Sequence, residues 1–139
     1  MRIVRGWAAV ALALVLAWPA AAAEPVSKTF SAPAERVWTT AEAVLKHLGW
    51  DIDKADRSIG WITTDSRRLD GEDYGVYAKG VRHQLRLNIR PTSENRTAVS
   101  IERSVFKRER ILWMDKDEPL AVTDHGVEQD VLSAIEKSL

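Results

Sequence analysis

The segment VRHQLRLNIR, residues 81–90, decides the fold. Polar residues at the even-numbered positions alternate with a mainly apolar set at the odd-numbered positions: Val81, His83, Leu85, Leu87 and Ile89. A period of two residues is typical of a β-strand with one buried face and one solvent-exposed face. After a turn at residues 91–95, the apolar residues Val99, Ile101 and Val105 predict an antiparallel partner strand. This pairing places Arg86 opposite or diagonal to Glu102 on the exposed face.

The segment upstream of this hairpin predicts a helix. An apolar stripe at helical spacing runs through it, formed by Val37, Ala41, Val44, Leu45 and Leu48. Pro33 suits the first turn of a helix, and Gly49 is typical of the position just after the last turn. We therefore expect a helix over residues 33–48, with Trp38 beside its apolar stripe.

Short strands are predicted over residues 26–30, 50–55 and 59–64, the last two forming a hairpin. Residues 66–79 are charged and contain two glycines, which predicts a long loop. Residues 107–122 show no clear period. A final helix follows, with Thr123 or Asp124 as its N-cap and an apolar stripe of Val127, Val131, Leu132 and Ile135.

These elements predict an α+β fold with an antiparallel sheet and helices on one face. The expected order is β-α-β-β-β-β-α, with about five strands and a long C-terminal helix packed on the sheet. We expect one domain over residues 24–139.

Residues 1–23 have the pattern of a secretory signal peptide. Arg2 and Arg5 precede an uncharged apolar stretch, and the small residues at 21–23 suit cleavage before Glu24. The alternative is an uncleaved membrane anchor, because the uncharged stretch is close to the length that spans a bilayer. Without a cysteine the chain is not a lipoprotein. We therefore expect an exported, periplasmic protein.

Composition excludes several classes of function. The chain has 20 basic and 20 acidic residues, so it lacks the basic excess of a nucleic-acid-binding protein. Its lack of cysteine excludes disulfide scaffolds, thiolate metal sites and thiol catalysis. With 139 residues it is too short for a two-domain cofactor enzyme.

Residues 34–64 resemble the C-terminal helix-grip domains of BamC/NlpB-type proteins, accessory lipoproteins of the outer-membrane barrel-assembly machinery. The matching features are Arg36-Val37-Trp38, Leu48-Gly49-Trp50 and the turn Asp56-Arg57-Ser58-Ile59-Gly60. The resemblance implies a helix-grip fold and a role in outer-membrane protein assembly or envelope biogenesis. This chain differs from that family in having one domain and no cysteine for lipidation.

The residues that could carry chemistry form no catalytic pattern. His47, His83 and His125 are scattered, and no metal-binding histidine motif, P-loop or nucleophile motif occurs. Arg103 falls on the apolar side of its strand, where we expect a snorkelling side chain at the sheet edge. We therefore predict no catalytic residue, no metal and no cofactor, and a protein that is not an enzyme.

A surface of tryptophan, tyrosine and arginine remains as the candidate partner-binding site. Its predicted members are Trp61, Arg67, Arg68, Tyr74, Tyr77, Arg82, Arg86, Arg90, Arg108, Arg110 and Trp113. The expected partner is a protein of the cell envelope, with an anionic membrane surface as a second option. The alternative function is a carrier of a small apolar ligand or lipid, held between the sheet and the C-terminal helix.

Overall fold

The computed structural model describes residues 24–139, so the predicted signal peptide or anchor lies outside the described residues. The chain forms an antiparallel seven-stranded sheet and two helices. In chain order the elements are β1 (Val26–Phe30), α1 (Ala34–His47), β2 (Ile52–Asp56), β3 (Trp61–Thr64), β4 (Arg67–Asp73), β5 (Tyr77–Ser93), β6 (Arg96–Ile111), β7 (Met114–Leu120) and α2 (Gly126–Ser138). The predicted α+β class, antiparallel sheet and C-terminal helix are confirmed.

The long hairpin of β5 and β6 organises the sheet. Its half next to the turn at residues 94–95 lies in the strand order β1-β6-β5-β3-β2. Its other half extends further, and there β4 pairs with β5 while β7 pairs with β6. The sheet therefore has a helix-covered half and, beyond it, a four-stranded extension made of β4, β7 and the far ends of β5 and β6.

The structure decides the register of the hairpin: Arg86 lies directly opposite Glu102, which is one of the two placements expected. The buried face of the helix-covered half packs against both helices. Its core includes Leu85, Leu87, Val99 and Ile101 from the sheet. Helix α1 contributes Trp38 and four residues of the predicted stripe, and α2 contributes Val131, Leu132 and Ile135. The fifth stripe residue, Leu48, is exposed just after the end of α1.

Helix α1 begins and ends within one residue of its predicted bounds. Gly49 has a φ of 85°, which is the left-handed conformation expected after a helix end. The next residue, Trp50, turns back into the core and is only 2% exposed. Trp61 in contrast lies on the other face of the sheet and is exposed.

The predicted strand count was wrong, because two strands of the extension were not expected. The predicted loop over residues 66–79 instead contains β4, and residues 107–122 contain the end of β6 and all of β7. Both segments carry charges on both faces, so neither shows the alternation that marks a half-buried strand. Pairing with the ends of the long hairpin, rather than burial, makes them strands.

The C-terminal helix is also shorter than expected. Helix α2 has 13 residues against 14 in α1, and both helices cover the sheet together. Its N-cap position is His125 rather than Thr123 or Asp124. The Asp124 carboxylate still accepts a hydrogen bond from the Gly126 N–H, at 2.9 Å.

Candidate functional site: the helix-free face and the apolar tip

The sheet face opposite the helices carries most of the predicted partner-binding residues. Seven of the eleven share this surface, which we call the helix-free face: Trp61, Arg68, Arg82, Arg86, Arg90, Arg108 and Arg110. Side chains alternate between faces along a strand, so even-numbered positions of β5 and β6 fall together here. Across residues 24–139, neither helix covers this face.

The best-defined feature of the helix-free face is an arginine stacked on a tryptophan. The Arg86 guanidinium lies 4.2 Å from the centroid of the exposed Trp61 ring. Although Glu102 lies opposite Arg86 in the register, no ion pair within 4.0 Å joins them. Cation–π stacking of this kind orients the guanidinium while its hydrogen-bond donors stay available. A shallow cleft beside the pair is lined by Asp53, Lys54, Asp56, Ile59 and Thr63.

The remaining arginines of this face differ in how far they are already bonded. Arg82 donates to Ser66 Oγ and to its carbonyl oxygen, both at 2.8 Å, and burial lowers the pKa of its guanidinium. Arg108 forms a two-pronged pair with Asp117, at 2.8 and 3.0 Å, which raises the pKa of Arg108. Among the described residues, Arg68 and Arg90 form no ion pair and are exposed. Arg68, Arg86 and Arg90 are therefore the cations free to meet a partner.

Arg67 does not belong to this surface. It lies on the helix side of the sheet, opposite His83. Its guanidinium stacks 3.8 Å from the ring centroid of Trp50 and donates to the Leu48 carbonyl oxygen at 2.9 Å. These contacts hold the end of α1 against the sheet, which is a structural role.

The three remaining predicted residues, Tyr74, Tyr77 and Trp113, lie at the far end of the extension. Two turns meet there, one between β4 and β5 and one between β6 and β7. Their exposed side chains form what we call the apolar tip: Tyr74, Val76, Tyr77, Ile111, Leu112, Trp113 and Met114. Sequence reasoning missed four of these residues, although the apolar run 111–114 between two charged segments was the available signal.

One hydrogen bond joins the two turns of the apolar tip, and further contacts hold each turn. Arg110 donates to the Gly75 carbonyl oxygen of the neighbouring turn at 3.1 Å and pairs with Asp115 at 2.5 Å. The Tyr74 and Tyr77 rings stack with centroids 6.5 Å apart. The Tyr74 hydroxyl donates to Glu72 at 2.8 Å, which raises the pKa of the Tyr74 phenol.

A buried polar network lies between the sheet and the start of α2. Arg103 is 7% exposed and pairs with the fully buried Glu128, Nε to Oε1, at 3.0 Å. It also donates to the Asp124 carbonyl oxygen at 3.0 Å and contacts His83 Nδ1 at 3.3 Å. The second Glu128 oxygen lies 2.6 Å from His125 Nδ1. Arg103 is thus not a snorkelling residue at the sheet edge, as predicted, but the centre of a buried ion pair.

The network leaves His83 neutral. Burial, followed by the nearby charges of Arg103 and Arg67, lowers the pKa of His83 to about 4. Its Nδ1 can then accept from Arg103. Every buried side-chain nitrogen and oxygen in the described part of the chain has a hydrogen-bond partner. None of the surface clefts described is lined by Arg103, Glu128 or His83, so we assign the network to positioning α2.

The described residues contain neither a metal-ligand cluster nor a membrane-spanning helix. Within residues 24–139, no group of three or more histidine, aspartate or glutamate side chains is arranged to hold a metal ion. Neither helix in that range is long and apolar enough to cross a membrane.

No family model matches this chain, and no curated protein matches it. It is similar to a solved crystal structure of an uncharacterized protein from Bacillus thuringiensis, at 15% sequence identity and a TM-score of 0.39. The likeness covers 81% of this chain and 95% of that chain. At this identity and TM-score the likeness carries no argument about function.

Proposed function

We propose that the protein is an exported, non-catalytic interaction module with a helix-grip-like fold, which binds an acidic protein partner of the cell envelope. The observation that carries the proposal is the Arg86–Trp61 stack on the helix-free face, with the unpaired Arg68 and Arg90 on the same face. Tryptophan and arginine are the residues most enriched at energetically dominant interface positions. The resemblance of residues 34–64 to BamC/NlpB-type domains suggests outer-membrane protein assembly or envelope biogenesis as the process.

A packed core favours the interaction module over the carrier alternative. The residues that would line a ligand cavity are Leu85, Leu87, Val99, Ile101, Val131 and Ile135, each at most 1% exposed. None of the clefts described in residues 24–139 is lined by any of them. No specific observation therefore supports a bound apolar ligand, and we propose the interaction module alone.

The experiment is crosslinking of the tagged, exported protein in intact cells, followed by mass spectrometry. The test variant is R86Q/R90Q, which removes two free cations from the helix-free face. The matched control is R36Q/K46Q, which removes two exposed cations from α1 on the opposite side. Thermal unfolding of all three proteins verifies that each is folded.

We expect one or more envelope proteins to be enriched with the wild type and the control and to be depleted with R86Q/R90Q. Enrichment of barrel-assembly subunits or outer-membrane proteins would locate the process. Equal recovery of partners with both variants would contradict the helix-free face as the docking surface. A monomer that co-purifies with a lipid or small molecule and no protein would favour the carrier.

A further inference from the structure

The apolar tip is separate from the helix-free face and has no part in the proposed protein docking. Trp113 is 84% exposed and Met114 is 79% exposed, so neither side chain contributes to the core. Five further side chains of the tip are also exposed, and the register places Tyr77, next to one turn, directly opposite Ile111, next to the other. A large exposed apolar patch is typical of a surface that binds a partner, a ligand or a membrane.

The backbone holds this surface in place. Leu112 has a φ of 60°, the only positive φ of a non-glycine residue in the described part of the chain. A leucine in this conformation costs free energy that glycine or asparagine would avoid. Leu112 and Trp113 are exposed in this turn, and the Arg110–Gly75 hydrogen bond ties it to the neighbouring turn. The tip is therefore a preformed protrusion.

The charges directly behind the tip nearly cancel. The first two cross-strand rows contain three basic and four acidic side chains, namely Lys79, Arg110, Lys116, Glu72, Asp73, Glu109 and Asp115. Arg110 already pairs with Asp115 and with Asp73. A surface without net positive charge has no electrostatic attraction to an anionic partner. The charges behind the tip therefore do not attract an anionic surface, and apolar contact is the interaction that the tip offers.

The shape and composition of the tip narrow the partner further. A protruding tip requires a matching apolar groove in a protein, whereas the fluid interface of a bilayer requires none. Tryptophan and tyrosine favour the membrane–water interface, where the ring is apolar and its polar atom meets water. The tip has this composition, because Trp113, Tyr74 and Tyr77 are exposed together with its aliphatic residues.

From these observations we infer that the apolar tip inserts into the interface of a phospholipid bilayer whose surface is zwitterionic, with Leu112 and Trp113 as the deepest residues. The driving force is burial of apolar side chains rather than attraction between charges. Binding is then insensitive both to the fraction of anionic lipid and to salt.

The test is co-sedimentation of the purified exported protein with phosphatidylcholine vesicles, with and without added phosphatidylglycerol. The variant L112S/W113S removes the two deepest residues. The control I59S/L69S removes two apolar side chains that are also exposed but lie away from the tip. Because all four residues are exposed, thermal unfolding is expected to change little in either variant.

We expect the wild type and the control to bind both vesicle types equally, and L112S/W113S to bind about tenfold more weakly. Tryptophan fluorescence of the wild type should shift to the blue on binding and be quenched by lipids brominated near the headgroup. These signals report on Trp113 itself, so the weaker binding of L112S/W113S is measured by co-sedimentation.

Several results would overturn the inference. These are no binding of the wild type to either vesicle, equal binding of L112S/W113S, or binding that needs phosphatidylglycerol and disappears at high salt. A concentration-dependent dimer that L112S/W113S abolishes would assign the tip to a second copy of the chain. Loss of a crosslinked protein in L112S/W113S, with no vesicle binding, would assign it to a protein partner. Failure of the crosslinking test with R86Q/R90Q leaves this inference unaffected.

Discussion

The same two strands, β5 and β6, are stabilised in different ways along their length. In the helix-covered half, Leu87 and Ile101 form a pair that is completely buried under α1 and α2. In the extension, Arg110 and Asp115 form an ion pair in a row whose side chains remain partly exposed. Burial of apolar side chains contributes several kcal/mol per residue, whereas an exposed ion pair contributes about 0–1 kcal/mol.

Pairing between backbones, without an apolar core, is therefore enough to extend the sheet beyond the helices. The extension needs close approach of its backbones, and Gly71 and Gly80 provide it, because a Cβ on Gly71 would lie 2.4 Å from the Gly80 Cα. The cross-strand ion pairs then fix the register. We therefore expect global stability to depend on the helix-covered half, and binding to depend on surfaces that the extension contributes.

The largest expected effect is in the buried ion pair. Arg103→Met leaves the fully buried Glu128 carboxylate without its cation, so we expect a loss of about 3–5 kcal/mol in the free energy of unfolding. The double variant R103M/E128L removes both charges, and its stability should recover most of that loss. Chemical denaturation measures both. A loss below about 1 kcal/mol for the single variant would show that Glu128 is not isolated from water.

A pair of truncations at the two ends of the hairpin tests the comparison directly. Leu87→Ala should lower the free energy of unfolding by about 2–5 kcal/mol, because it leaves a cavity in the core. Ile111→Ala removes an exposed side chain from the apolar tip and should change stability by less than about 0.5 kcal/mol. Urea denaturation provides both values. Similar losses at the two sites would mean that the extension has a core of its own.

The stability of the protein should depend on pH through the buried His83. The pKa of His83 is about 4 in the folded chain, below its ordinary value of 6.5, so the unfolded chain binds more protons between these two values. Stability should therefore fall as the pH decreases from 6.5 towards 4, with the loss complete below the folded pKa. Thermal unfolding across this range should show a shallower slope for His83→Gln. The control His47→Gln, at an exposed position of α1, should keep the wild-type slope.

The smallest effect is expected in the extension. Arg108→Gln removes the two-pronged pair with Asp117, whose side chain is 44% exposed, and should cost less than about 1 kcal/mol. The loss should shrink further at 1 M salt. A salt-independent loss of several kcal/mol would show that the ion pairs of the extension act as a core.

Part of this fold could be predicted from the sequence because its pattern is local. The alternation in residues 81–90 determined a strand, and the stripe in residues 33–48 determined a helix, since both periods follow directly from backbone geometry. The same alternation predicted that Arg86 lies opposite or diagonal to Glu102, and the two residues pair directly. It also predicted that Arg82, Arg86 and Arg90 lie together on the exposed face of their strand. The four other members of the helix-free face join them only through strand pairing.

Other features were decided only by the tertiary structure, because they depend on partners distant in the chain. Strands β4 and β7 exist because the hairpin of β5 and β6 extends beyond the helices and offers unpaired edges there. Arg103 reads as a misfit in its own strand, and its partner Glu128 is 25 residues away on α2. The apolar tip likewise forms only when two turns, at residues 74–76 and 112–113, are brought side by side. Periodicity describes which face a side chain occupies, whereas only the folded chain decides what lies on the other side of it.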